Sequence, residues 1–194
     1  MERFEMFYKL QGFFVDKKDY DDFLSCLKSP LPACFRINPD YEFASNLKEQ
    51  LHQFVGKSMR IYDREVQPVQ NMAWYPGECA YKLGMDRRMI RKTVELEPLH
   101  AWLIRHTDCG NITRQEAVSM VPPLALDVQP HNKCLDLCAA PGSKTSQMLE
   151  IINRSFFSPP ELQGVVVAND ADTDRAYMLV KHVIRFRMSC TFSK

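Results

Sequence analysis

The chain has 194 residues, with 25 Lys and Arg against 24 Asp and Glu, and 45% of its residues are hydrophobic. That allows one large or two small folded domains, and a net charge of +1 excludes a protein that coats nucleic acid through bulk charge. Seven Gly, twelve Pro and no long biased tract exclude a collagen-like or wholly disordered chain. No stretch approaches the roughly 20 apolar residues of a spanning helix, and the start Met1-Glu2-Arg3-Phe4-Glu5 lacks the layout of a secretory signal, so an intracellular chain without membrane contact is expected. The seven cysteines form no Cys-x-x-Cys pair and have no His at ligand spacing, so they read as reduced core thiols, with no metal expected.

Tyr20, Phe23, Leu24 and Leu27 recur at helical spacing and stop at Ser29-Pro30. The proline-fenced segment from Pro32 to Pro39 is too short for a helix and reads as a strand. Phe43, Leu47, Leu51 and Phe54 predict a second helix, Met59 to Tyr62 another strand, and Gln67 to Tyr75 a loop leading out of a small α/β module over residues 1–70. A helical connector is expected over 71–130. Within it, Leu96, Leu99, Trp102 and Leu103 predict one helix, and Thr113-Arg114-Gln115-Glu116 has the hydroxyl-to-carboxylate spacing of a capping box that opens another, ended by Pro122-Pro123. From 131 to 194 the pattern changes to strand, small-residue turn, helix, strand, helix. Cys134 to Leu137 and Gly164 to Ala168 are the strands, Met148, Leu149, Ile151 and Ile152 mark the first helix, and Ala176, Leu179, Val180, Val183 and Ile184 the second. Cys190-Thr191-Phe192 begins a third strand. The fold class is therefore α/β: the first two or three strands of a doubly wound, Rossmann-like sheet behind a small mixed module.

A turn of small residues that leaves a parallel strand and opens a helix lets main-chain N–H groups approach a ligand at the sheet's carboxyl edge. Asp170, two residues beyond Ala168, is placed to accept hydrogen bonds from a ribose. The pair names an adenosine-type ligand and no chemistry, and a plain turn and a helix-capping Asp remain open readings. A P-loop needs Gly directly before Lys, but Ser143 separates Gly142 from Lys144, and the dinucleotide fingerprint needs three glycines where this turn has one. A phosphate-free sulfonium ligand suits the turn better, with Lys144 in reach of its carboxylate or simply exposed on the helix.

Cys138-Ala139-Ala140-Pro141-Gly142-Ser143-Lys144-Thr145 closely resembles the cofactor loop of the RsmB/NOP-type (Sun-domain) RNA cytosine-5 methyltransferases, and Ala168-Asn169-Asp170 resembles that family's ribose-binding strand end. Gly110 to Leu124, Pro30-Leu31-Pro32 and Phe35-Arg36-Ile37-Asn38 resemble its eukaryotic tRNA-modifying branch. The resemblance implies S-adenosylmethionine as cofactor, bound by Cys138, Ala139, Ala140, Pro141, Gly142, Ser143, Lys144 and Asp170, RNA (tRNA foremost) as partner, and a nuclear or nucleolar setting. It also implies methyl transfer to carbon 5 of cytosine, with one cysteine thiolate adding to carbon 6 of an unstacked base and a second assisting release.

In that family the two cysteines stand in Pro-Cys-Ser and Thr-Cys-Ser turns, and neither tripeptide occurs here. The chain therefore reads as a front portion with no catalytic residue of its own, unstable or sticky alone because its short sheet has open edges. The alternative is a truncated module that binds RNA or a partner without chemistry; a dehydrogenase-like enzyme ranks third. Arg87, Arg88, Arg91 and Lys92, preceded by Trp74 and Tyr75, are candidate RNA contacts, with a solvated charged face as the competing reading. Arg36 and Arg114 are expected to hold RNA or to pack the front module against the catalytic core.

Overall fold

The computed structural model describes residues 2–39, 41–61, 64–153, 164–185 and 191–193. The chain divides into two compact units, Met1–Leu31 and Pro32–Lys194.

The first unit is a pair of helices, α1 (Glu2–Leu10) and α2 (Lys17–Lys28). Asp16 caps α2 by accepting the Asp19 N–H at 2.8 Å, and the helix stops at Ser29, one residue before Pro30. Aromatic side chains join the pair: Tyr8 lies 5.1 Å from Phe23, and Phe14 lies 5.1 Å from both Tyr20 and Phe23. The sequence periodicity finds α2 but passes over α1, whose apolar residues stay largely exposed.

The second unit opens with an antiparallel sheet built from β1 (Cys34–Ile37), β4 (Val69–Asn71), β5 (Ala80–Leu83) and β6 (Ile112–Arg114), in the order β4-β5-β1-β6. A separate hairpin, β2 (Met59–Ile61) and β3 (Arg64–Val66), lies between them in sequence. Helices α3 (Ala44–His52), α4 (Arg87–Lys92) and α5 (Glu97–Asp108) belong to the same part of the chain. All four residues of β1 are buried, because both faces of this strand are covered. Phe35 and Ile37 enter the core with Leu47, Leu51, Leu99 and Leu103, where Phe35 stacks on its cross-strand partner Tyr81 at 5.3 Å. Cys34 and Arg36 alternate to the other face, where Cys34 packs with Met120 and Arg36 bonds to Gln115.

Three expectations are corrected in this region. Thr113 opens no helix: it lies in β6, opposite Arg36, and the helix α6 begins only at Ala117 and runs to Ala125. Pairing with β1 outweighs the local capping pattern. Pro122 and Pro123 also lie inside α6 and do not end it. Pro123 leaves the Ser119 carbonyl without its helical N–H donor, and the Gln115 side-chain amide supplies one at 2.8 Å. Lastly, the loop expected over Gln67 to Tyr75 contains β4. The sheet draws strands from both sides of residue 70, so the small module expected over 1–70 and the connector over 71–130 share one sheet.

The parallel sheet comes next in the chain, with β7 (Lys133–Asp136), β8 (Val165–Asn169) and β9 (Thr191–Ser193) in sequential order. Its crossover helices are α7 (Ser143–Asn153) and α8 (Thr173–Ile184). Met148, Leu149, Ile151 and Ile152 of α7 and Leu179 and Val183 of α8 pack with Val166 and Ala168, so both helices cover one face of the sheet. The run of branched residues is the central strand, as expected. On the opposite face Leu135 is 61% exposed.

The two sheets are joined through a buried polar network. The Arg36 guanidinium grips the Glu150 carboxylate of α7 through both terminal nitrogens, and its Nε donates to Gln115 Oε1 at 2.6 Å. Thr113 Oγ1 donates to Glu150 Oε1 at 3.0 Å, and Gln115 Nε2 donates to Gln147 Oε1 at 3.0 Å. Gln147 in turn donates to the Met120 carbonyl at 2.9 Å. Burial works against the guanidinium charge, yet Glu150 and the Tyr75 hydroxyl together more than offset it and raise the Arg36 pKa.

Candidate functional site

The turn between β7 and α7 is shaped by small residues for steric reasons. Gly142 has φ +101°, a conformation that strains any L side chain, and a Cβ there would also press on Leu179 Cδ1 at 2.6 Å. Ala139 and Ala140 are buried, whereas Cys138 and Pro141 are exposed and Ser143 and Lys144 half-buried. The Gly142 N–H closes the turn on the Ala139 carbonyl at 2.7 Å, and Thr145 Oγ1 ties the helix start to Asp136 at 2.7 Å.

The end of β8 meets this turn directly. The Ala139 N–H donates to the Asn169 carbonyl at 2.8 Å, and the Asn169 side-chain amide donates to the Leu137 carbonyl at 3.0 Å. Asp170 accepts the Ala140 N–H at 3.0 Å on Oδ2 and the Asp172 N–H at 3.1 Å on Oδ1. Asp172, and not Asp170, caps α8 by accepting the Arg175 N–H. The bland reading of Asp170 as a helix cap is thus set aside. A carboxylate offers about four acceptor positions, so with two main-chain donors bound it retains capacity for a ligand hydroxyl.

Arg175 is the residue at this site that the sequence reading missed. Its Nη2 donates to the Ala140 carbonyl at 2.7 Å and lies 3.8 Å from Asp170 Oδ2, so one guanidinium spans both halves of the site. An Arg in the first turns of an exposed helix carries no signal in sequence.

The other predicted residues separate. Arg36 is fully buried, with its donors turned to Glu150, Gln115 and Tyr75, so it packs the front sheet against α7 and reaches no external phosphate. Arg114 is half-buried, with Nε donating to Thr107 Oγ1 at 3.2 Å. Arg88, Arg91 and Lys92 are exposed on α4, whose first residue is Arg87 and whose N-terminus is capped by Asp86. Tyr75 is buried and Trp74 exposed, so the two aromatics do different work. Burial pushes the Cys34 and Cys134 thiols up, which suits inert core residues. Among the described residues no group of three or more His, Cys, Asp or Glu side chains gathers to hold a metal, and no helix is long and apolar enough to cross a membrane. A small cavity lined by Cys34, Phe35, Leu83, Ile90 and Leu103 belongs to the front sheet and includes no residue of the turn.

The family profile described as 16S rRNA methyltransferase RsmB/F matches residues 123–193, the stretch that holds the turn and Asp170. Over 95% of its length the chain is 38% identical to the multisite-specific tRNA:(cytosine-C(5))-methyltransferase trm4b of Schizosaccharomyces pombe. Over residues 123–193 the chain is thus similar to the RsmB/F methyltransferases. The chain is also 37% identical, over 96% of its length, to the tRNA (cytosine(34)-C(5))-methyltransferase of Drosophila melanogaster. It spans 29% and 26% of the lengths of these two relatives. A methyltransferase homolog protein from Pyrococcus horikoshii shares the fold, with a TM-score of 0.63 at 24% identity over 93% of this chain and 48% of that one.

Proposed function

We propose that these residues supply the methyl-donor site of an S-adenosylmethionine-dependent RNA cytosine-5 methyltransferase whose substrate is tRNA, working in the nucleus or nucleolus. The observation that carries this reading is the closure of the Ala140 N–H on the Asp170 carboxylate, which sets an acceptor for sugar hydroxyls against a small-residue turn.

The residues present fit the donor. Asp170 keeps acceptor capacity at the turn, Cys138 and Pro141 are exposed beside it, and the half-buried Lys144 ammonium can meet a carboxylate. When bound, S-adenosylmethionine supplies an electrophilic methyl group. The chain's own part is to orient it. Asp170 would accept from the ribose hydroxyls, Arg175 holds Asp170 and the Ala140 carbonyl in place, and the residues Cys138 to Lys144 would line the remainder. Attack on the base needs a thiolate in a Pro-Cys-Ser or Thr-Cys-Ser setting, and neither tripeptide is among these 194 residues. That observation favours a second reading for the chain acting by itself, binding of donor and RNA without turnover.

Calorimetry with S-adenosylmethionine tests the donor site. Wild type should bind, and Asp170→Ala should bind about 10- to 150-fold more weakly, the value of one hydrogen bond to a charged group. Equal binding by the two proteins, or none by wild type, would refute the assignment.

A further inference from the structure

The loop joining β4 to β5 is held at many points and presents one aromatic ring outward. The Met72 N–H donates to the Ala80 carbonyl at 2.9 Å and the Tyr75 N–H to the Met72 carbonyl at 2.9 Å. The Asn71 amide reaches the Glu78 carbonyl at 3.3 Å, and Lys48 Nζ reaches the Gly77 carbonyl at 2.7 Å. Met72 and Tyr75 are buried, while Trp74 is 50% exposed. Among its exposed neighbours Ala73, Pro76, Gly77 and Glu78, Trp74 is the one aromatic ring. A protein partner needs an extended patch, whereas a single wide ring on a fixed mount suits one planar ligand face.

The mount is also tied to the donor site. The Tyr75 hydroxyl meets the Arg36 guanidinium, which is locked to Glu150 of α7. Glu150 lies two helical turns beyond Ser143, about 10 Å along the axis, and Ser143 is part of the turn that closes on Asp170. A base resting on Trp74 is therefore held in a set relation to that turn.

We propose that Trp74 is a base-stacking contact for single-stranded RNA. This deepens the RNA reading above and rests on it. Stacking on an indole is sequence-tolerant and loses little entropy when the loop beneath is already ordered. Lys48 and Glu78 bring opposite charges to the same turn, so the contact works through the ring and contributes little to salt dependence.

The chain's second tryptophan makes the test direct. Trp102 is buried, with Nε1 donating to Gln50 Oε1 at 2.7 Å, so its emission reports the fold and stays constant while Trp74 reports the ligand. The 194-residue chain is titrated with a dye-labelled single-stranded oligocytidine RNA, following indole emission and RNA anisotropy together. Wild type is expected to bind with quenching; Trp74→Ala should bind about 5- to 150-fold more weakly without quenching and with an unchanged salt slope. Trp74→Phe, which keeps a stacking face, should retain most of the affinity. Equal affinity for wild type and Trp74→Ala would overturn the proposal while leaving the RNA reading intact. No binding by wild type would remove both.

Discussion

Replacing Glu150 with Ala should be among the most damaging single changes in the chain. The carboxylate accepts from both terminal nitrogens of Arg36 and from Thr113 Oγ1, and both charged partners are almost wholly shielded from water, with side chains 1% and 2% exposed. Truncation leaves a guanidinium in the interior with no counter-charge, a loss of about 3–5 kcal/mol. For a chain of this size, about 2–4 °C of Tm accompanies each kcal/mol, so a fall of roughly 6–20 °C is expected. The pair itself is worth far less than that. Taking both charges out of water offsets most of their attraction, so Arg36→Met combined with Glu150→Leu should recover most of the loss or exceed wild type. Denaturant titration of wild type, Arg36→Met, Glu150→Leu and the double variant gives the coupling directly, with Glu150→Ala measured beside them. A Glu150→Ala cost below about 1 kcal/mol, or a double variant no better than the single, would show that the network is not the internal ion pair described here.

The same geometry sets two further outcomes. Gly142→Ala should destabilise by about 1–3 kcal/mol, since φ is +101° and the new methyl meets Leu179 Cδ1; an unchanged denaturation midpoint would contradict the tight start of α7. His182 has its pKa lowered, first by burial and then by the Arg185 charge, so folding favours its neutral form. Its contribution is fully present above its ordinary value near 6.5 and is lost as pH falls through the lower folded value. Thermal scans between pH 7.5 and 5.5 should therefore show a steeper decline for wild type than for His182→Gln, and parallel declines would rule this out.

Legibility from sequence tracked the range of the forces involved. The run Val165-Val166-Val167 and the spacing of Leu179 and Val183 are local and strong, so β8 and α8 stand where the pattern puts them. The turn from Cys138 to Lys144 and its closure on Asp170 were legible because they lie in a motif. What escaped depends on partners far along the chain. Thr113 and Glu116 imitate a helix start, and only pairing with β1, more than seventy residues earlier, makes a strand of the segment. Whether Arg36 holds RNA or packs the front module stays open in sequence until Glu150 is placed beside it. Short strands such as β4, and a bridging side chain such as Arg175, leave no periodic trace.

The Arg36–Glu150 lock also limits how the chain can be recombined. A graft of the leading sheet onto an unrelated α/β core would carry an orphaned cation into the seam, and a transplanted α7 would carry an orphaned anion. Chimeras cut between β6 and β7 should tolerate exchange only when both halves of the pair travel together, so that the two sheets are inherited as a matched set and not as interchangeable cassettes.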